Sequence, residues 1–269
     1  MSEPGTNEAA PAPPAPRRKG IYLLPNLLTT AALFSGFYAI IAAIDGNFVA
    51  AAVAIYISII LDGLDGRVAR MTSTESDFGK EYDSLADMVS FGVAPAVVVY
   101  QWGVARLAEY GLAWGRLGWL AAFLFVVAAA MRLARFNSRA ASADKRFFEG
   151  LPSPSAAALV GGLVWLGTVY GLDGLPALLT GFTVTVLAAL CMVSALHYYS
   201  FKDFNLGGRV RFTHLLVIPA TFMLVSLNPP LVLFVLFLGY ACSGPGLWIW
   251  RWSRRRRAHA EAAPDGDDV

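Results

Sequence analysis

Residues 61–70 read Leu61-Asp62-Gly63-Leu64-Asp65-Gly66-Arg67-Val68-Ala69-Arg70, and residues 79–87 read Gly79-Lys80-Glu81-Tyr82-Asp83-Ser84-Leu85-Ala86-Asp87. Each segment adjoins an apolar run long enough to cross a bilayer, 47–65 before the first and 84–105 after the second. Acidic side chains at such places are costly and call for a function. Asp62 and Asp65 are three positions apart and Asp83 and Asp87 four, so each pair shares one helix face. The link between the pairs is short, which predicts antiparallel neighbouring helices whose acidic faces converge near the membrane interface. Four carboxylates at one point repel one another, and divalent cations remove that cost. Oxygen-only ligands suit Mg²⁺, Mn²⁺ or Ca²⁺ rather than zinc. Two ions can share four carboxylates, as in two-metal phosphoryl-transfer sites. Gly63, Gly66 and Gly79 leave room for a phosphate to approach the backbone, and Arg67 and Arg70 can pair with its oxygens.

The rest of the chain supplies the solvent for this motif. Its 269 residues are 57% hydrophobic and 15% charged, with a mean hydropathy of +0.55, whereas soluble domains carry about 25% charged residues. The fold class expected is an all-α membrane protein of about eight transmembrane helices, near 22–44, 47–65, 84–105, 117–136, 155–171, 174–197, 213–228 and 230–250. With the N-terminus in the cytoplasm, every Lys and Arg except Arg106 and Arg116 falls on cytoplasmic segments or span ends, as the positive-inside rule requires. Both termini and the aspartates are then cytoplasmic. A net charge of +2 gives no reason to expect a nucleic-acid partner. Residues 1–20, rich in Ala and Pro, are expected to form a disordered tail; 21–252 form the membrane domain; 253–269 form a basic, then acidic tail. Arg254–Arg257 serve as a topology anchor that meets anionic headgroups. Cys191 and Cys242 sit in apolar runs and are expected to be buried free thiols.

The spaced string Asp62-x2-Asp65-Gly66-x2-Ala69-Arg70-x8-Gly79-x3-Asp83-x3-Asp87 matches the signature of the CDP-alcohol phosphatidyltransferase family at every fixed position. The resemblance implies attack of an alcohol hydroxyl on the β-phosphate of a CDP-linked lipid, with CMP leaving. It implies Asp62, Asp65 and Asp83 as principal metal ligands. Asp87 then completes the second metal site and takes the proton from the attacking hydroxyl. Gly66, Ala69, Arg70 and Gly79 match the stretch that accommodates the cytidine nucleotide, with Gly63 and Arg67 beside it. Leu24-Pro25-Asn26-Leu27-Leu28-Thr29 resembles the family's opening, so Asn26 and Thr29 are candidate diphosphate contacts; the alternative is a helix start with Thr29 bonding back to the backbone. Many relatives carry Asn seven residues after that Pro, where this chain has Ala32.

Two further segments resemble the bacterial phosphatidylserine synthase branch. They are Arg132-Leu133-Ala134-Arg135-Phe136-Asn137 and Phe148-Glu149-Gly150-Leu151-Pro152-Ser153-Pro154-Ser155. That branch implies CDP-diacylglycerol and L-serine as substrates, Mg²⁺ or Mn²⁺ as cofactor, a homodimer and the inner membrane. Arg132 or Arg135 could clamp the serine carboxylate, and Asn137, Glu149 or Ser153 could meet its ammonium. Glycerol 3-phosphate or inositol phosphate are the alternative acceptors, served by Lys145 and Arg146. A cation transporter is the remote alternative, against which the glycines and Arg67 and Arg70 speak. Gly161-Gly162 is a small-residue cluster suited to helix association. His197, His214 and His259 lie outside the motif and are not expected to be catalytic.

Overall fold

The computed structural model describes residues 23–72, 76–139, 147–199 and 223–261. Helix α1 spans Leu23–Ile44 and α2 spans Phe48–Thr72. Between them Gly46 has φ of 76°, and Asn47 Oδ1 accepts from the Ala50 amide at 3.1 Å, capping α2. The two helices pack closely because alanines line the seam: Ala39, Ala42 and Ala43 face Ala51, Ala52 and Ala54, all buried. Two hydroxyls tie them, Ser35 Oγ donating to Ala54 O and Ser58 Oγ to Ala32 O, both at 2.8 Å.

Helix α3, Asp77–Asp87, starts at Ser76, whose hydroxyl accepts from the Gly79 amide at 3.0 Å. It runs into a π-helical turn, Met88–Val93, and then α4, Ala94–Trp102. Pro95 explains the widening. It has no N–H for the Phe91 carbonyl, and its ring would crowd that carbonyl in a regular helix. The turn before it opens so that the Ala94 amide reaches Val89 O. This wide turn packs on α1 at Gly36, where a Cβ would lie 2.7 Å from Ser90 Cα. Gly36→Ala is therefore expected to lower the thermal midpoint of the detergent-solubilised protein, an overpacking cost of about 1–3 kcal/mol; an unshifted midpoint would contradict this packing.

A 3₁₀ turn, Val104–Tyr110, leads to α5, Leu112–Arg139. Strand β1, Phe147–Glu149, pairs antiparallel with β2, His197–Tyr199, Glu149 opposite His197. Between the strands run α6, Ser153–Val169, and α7, Gly174–Val193. This ribbon is the only β-structure among the described residues. Gly150, with φ of 78°, turns the chain from β1 towards α6 against the Met192 carbonyl, a place closed to any side chain. The last helix, α8, covers Pro229–Glu261, so the segment expected to be a tail is helical as far as residue 261. Asn228 Oδ1 accepts from the Leu231 amide at its start.

Six of these helical runs are long and apolar enough to cross a membrane, and the 17-residue α6 is a shorter apolar helix. They coincide with seven of the eight expected spans. The eighth, 213–228, lies outside the described residues except for 223–228, of which 223–227 are helical. The tail 1–20 and His214 also lie outside them. Large apolar side chains such as Phe34, Phe37 and Ile41 project outward from α1, as in a protein whose solvent is lipid; the chain is a multi-pass membrane protein. The core joins Ile55, Phe91, Phe125, Leu151, Val160, Val164 and Met192. Gly161 and Gly162 are spent inside it, against Ile55 of α2 and against Tyr56 and Phe234, and are not a free association surface. The thiols differ from expectation: Cys191 is half-buried and Cys242 exposed, both free, because Cys242 lies on the outward side of α8.

Candidate active site

Helix α2 ends at Thr72 and α3 begins at Asp77, and both pack against α1. Asp62, Asp83 and Asp87 each place one carboxylate oxygen within 4.8 Å of the others. Asp65 lies beside them, within electrostatic reach of all three. It is 5% exposed, and its Oδ2 accepts from the Thr29 hydroxyl at 2.7 Å. That hydroxyl also stands 3.1 Å from Pro25 O, the backbone bond of the helix-start alternative, while its bond to Asp65 is one that neither alternative named. The opening of α1 thus fixes one motif carboxylate.

The donor set is oxygen only, and Asp83 Oδ1 is buried without a hydrogen-bond partner among the described residues. A buried carboxylate oxygen left without a donor is a large desolvation cost. Together with two further carboxylates within ligand-sharing distance, it fits a hard divalent cation.

The glycines differ in what they do. A Cβ on Gly79 would lie 3.1 Å from Ser76 Oγ and 3.4 Å from Asn26 Oδ1, so Gly79 lets α3 close on the start of α1 and brings Asn26 to the motif. A Cβ on Gly66 would lie 3.7 Å from Arg70 Nη1, so Gly66 leaves the guanidinium room to fold back along α2. Gly63 faces open space. Arg67 and Arg70 are exposed at the end of α2, and Ala69 is half-buried.

On the other side of the aspartates stands α5. Arg132 is half-buried and lies within electrostatic reach of Asp87 and of Tyr240 of α8. Its Nη1 donates to Ser153 Oγ at 3.0 Å, and its Nε is buried without a partner among the described residues. Ser153 is 1% exposed at the first turn of α6. Asn137 donates to Ser84 Oγ at 2.9 Å, tying α5 to the helix that carries Asp83 and Asp87. Arg135 is half-buried, and Glu149 is exposed on β1. Lys145 and Arg146 lie outside the described residues. Sequence reasoning missed Tyr82, whose hydroxyl is 2.9 Å from Thr30 Oγ1, and Tyr240. Tyr82 sits inside the motif string and was legible there; Tyr240 is one aromatic in an apolar helix and gave no signal.

The family model described as CDP-alcohol phosphatidyltransferase matches residues 22–195. The chain belongs to the CDP-alcohol phosphatidyltransferase family. It is 45% identical over 184 residues to a CDP-diacylglycerol–serine O-phosphatidyltransferase of Helicobacter pylori strain J99, covering 68% of this chain and 74% of that protein. A protein of the same description from Mycobacterium tuberculosis strain CDC 1551 is 32% identical over 236 residues, 85% of this chain and 79% of its own length. An archaetidylserine synthase of Methanothermobacter thermautotrophicus is 33% identical over 177 residues, 65% and 69% of the two chains. The family match ends before β2, so in this CDP-alcohol phosphatidyltransferase α8 and Tyr240 lie beyond the matched stretch.

Proposed function

We propose that the chain transfers the phosphatidyl group of CDP-diacylglycerol to the hydroxyl of L-serine, giving phosphatidylserine and CMP. The observation that carries the acceptor is Arg132: a half-buried guanidinium whose buried Nε–H has no partner among the described residues, within electrostatic reach of Asp87. Such a group recognises a small anion next to the reacting centre, and serine brings a carboxylate within reach of its own hydroxyl. The names of the relatives agree on a serine lipid as product.

Asp62, Asp65, Asp83 and Asp87 would hold two divalent cations, Mg²⁺ or Mn²⁺. When bound, these neutralise diphosphate charge and acidify the acceptor hydroxyl. Asp87 accepts the hydroxyl proton, and the serine oxygen forms a bond to the β-phosphorus as the bond from that phosphorus to the CMP oxygen breaks. Asn26, Gly63, Gly66, Arg67, Ala69, Arg70 and Gly79 form the nucleotide side, with the arginines on phosphate oxygens. Thr29 acts through Asp65 by fixing its carboxylate. Arg132 takes the serine carboxylate and Ser153 holds the guanidinium in place; Arg135, Asn137 and Glu149 form the rim that receives the ammonium. The enzyme works as a homodimer in the inner membrane with both termini and the site on the cytoplasmic side, where serine and CMP are soluble. The distribution of Lys and Arg supports that orientation.

The test is CMP release by the purified protein given CDP-diacylglycerol and Mn²⁺, with serine, glycerol 3-phosphate and inositol offered separately. Release with serine alone is expected; release only with another alcohol would keep the aspartate chemistry and discard the acceptor. Thr29→Val keeps the shape and removes the bond to Asp65. It is expected to weaken Mn²⁺ activation about 10-fold or more, since partners that orient metal ligands are worth 10–100-fold in affinity. An unchanged Mn²⁺ dependence would separate Asp65 from metal binding.

A further inference from the structure

We infer that Ser58 and Ser90 are positioning residues for the aspartate cluster, their hydroxyls meeting on one carbonyl of α1 and fixing how far apart Asp62 and Asp87 stand. The inference rests on the divalent-metal reading above. Ser58 Oγ donates to Ala32 O at 2.8 Å, and Ser90 Oγ donates to the same oxygen at 3.3 Å. Both serines are buried, 0% and 1% exposed. Ser58 precedes Asp62 by four positions on α2, so the two share one helix face a turn apart. Ser90 follows Asp87 by three, inside the wide turn that starts after that aspartate. Ala32 follows Thr29 by three on α1, and Thr29 holds Asp65. One backbone oxygen therefore joins three helical segments, one turn along α1 from the cluster.

Hydroxyl bonds cross between α1 and α2 in order: Thr29 to Asp65, Ser58 to Ala32, Ser35 to Ala54. They are rungs of the antiparallel pair, about 5 Å apart along α1. Only the middle rung also receives a third segment. Gly36 permits this, because a Cβ there would lie 2.7 Å from Ser90 Cα, so the wide turn is pressed on α1 at the same level. Alanines fill much of the α1–α2 seam, and an alanine at 58 would bury no polar group. A buried hydroxyl costs free energy unless it is bonded, so packing alone gives no reason for serine at either place. What the bonds add is register. Asp62 and Asp87 sit on the two segments that Ala32 O ties together, and their carboxylates come within ligand-sharing distance. An ion shared between two carboxylates is held tightly only if the supporting groups fix their separation beforehand.

Ser58→Ala and Ser90→Ala each delete one hydroxyl. Mn²⁺ is titrated into the metal-free, detergent-solubilised full chain and followed by the electron paramagnetic resonance signal of the free ion, a readout that needs no turnover. Ser58→Ala is expected to raise the Mn²⁺ dissociation constant about 10-fold; Ser90→Ala, which loses the longer bond, raises it less. Ser35→Ala is the comparison, since it removes an equal 2.8 Å bond one rung further from the aspartates. It should lower the metal-free thermal midpoint as Ser58→Ala does and leave Mn²⁺ binding at its wild-type value. A wild-type dissociation constant in Ser58→Ala, or an equal rise in Ser35→Ala, would overturn the inference and leave the aspartates as metal ligands. Wild-type protein that binds no Mn²⁺ would remove the metal reading and this inference with it.

Discussion

Asp87→Asn is expected to release CMP about 10²- to 10⁴-fold more slowly than the wild type at saturating Mn²⁺, the usual worth of a positioned general base. The substitution is nearly isosteric, and the amide can still meet Asp62, which faces Asp87 across the site. What it cannot do is accept a proton from a hydroxyl. The KM for CDP-diacylglycerol should change only a few-fold, because the nucleotide side proposed above lies on α1, the end of α2 and the start of α3. Measuring kcat and both KM values separates these outcomes. Wild-type turnover would remove Asp87 as the base and move the proton to another group.

Arg132→Met is the second large effect. It preserves most of the volume and leaves no charge to bury. Loss of one partner of a hydrogen-bonded charge pair at a binding site costs about 2–5 kcal/mol, so the serine KM should rise about 10²-fold or more. The Ser153 hydroxyl loses its donor in the same variant, and a modest fall in thermal midpoint should accompany the kinetic defect. An unchanged serine KM would show that Arg132 anchors the helix end and nothing more.

Much of this site was legible in the sequence because its logic is local. Spacings of three and four on two helices joined by a short link can converge in few ways, and Asp62, Asp83 and Asp87 do converge. Apolar runs of spanning length fix the helices for the same reason: lipid leaves backbone groups no other partner. What stayed hidden depends on contacts distant in sequence. The bond from Thr29 to Asp65 needs the register of α1 on α2, set by the alanine seam and by Ser35 and Ser58. The π turn after Asp87 had a signal in Pro95, but a proline alone does not say whether a helix kinks, stops or widens. The burial of Gly161 and Gly162 could not be told from an exposed association motif, since both ask only for small residues. Tyr240 comes within electrostatic reach of Arg132 by the packing of α8 against β2, a placement that no spacing encodes.

The central claim, attack of the serine hydroxyl on the β-phosphorus, is tested most directly with serine carrying ¹⁸O in its hydroxyl. Purified protein, CDP-diacylglycerol and Mn²⁺ should yield phosphatidylserine that retains the label and CMP that lacks it. Label in a cytidine-containing product, with phosphatidic acid released, would place the attack on the other phosphorus. Absence of any labelled product would contradict the account altogether.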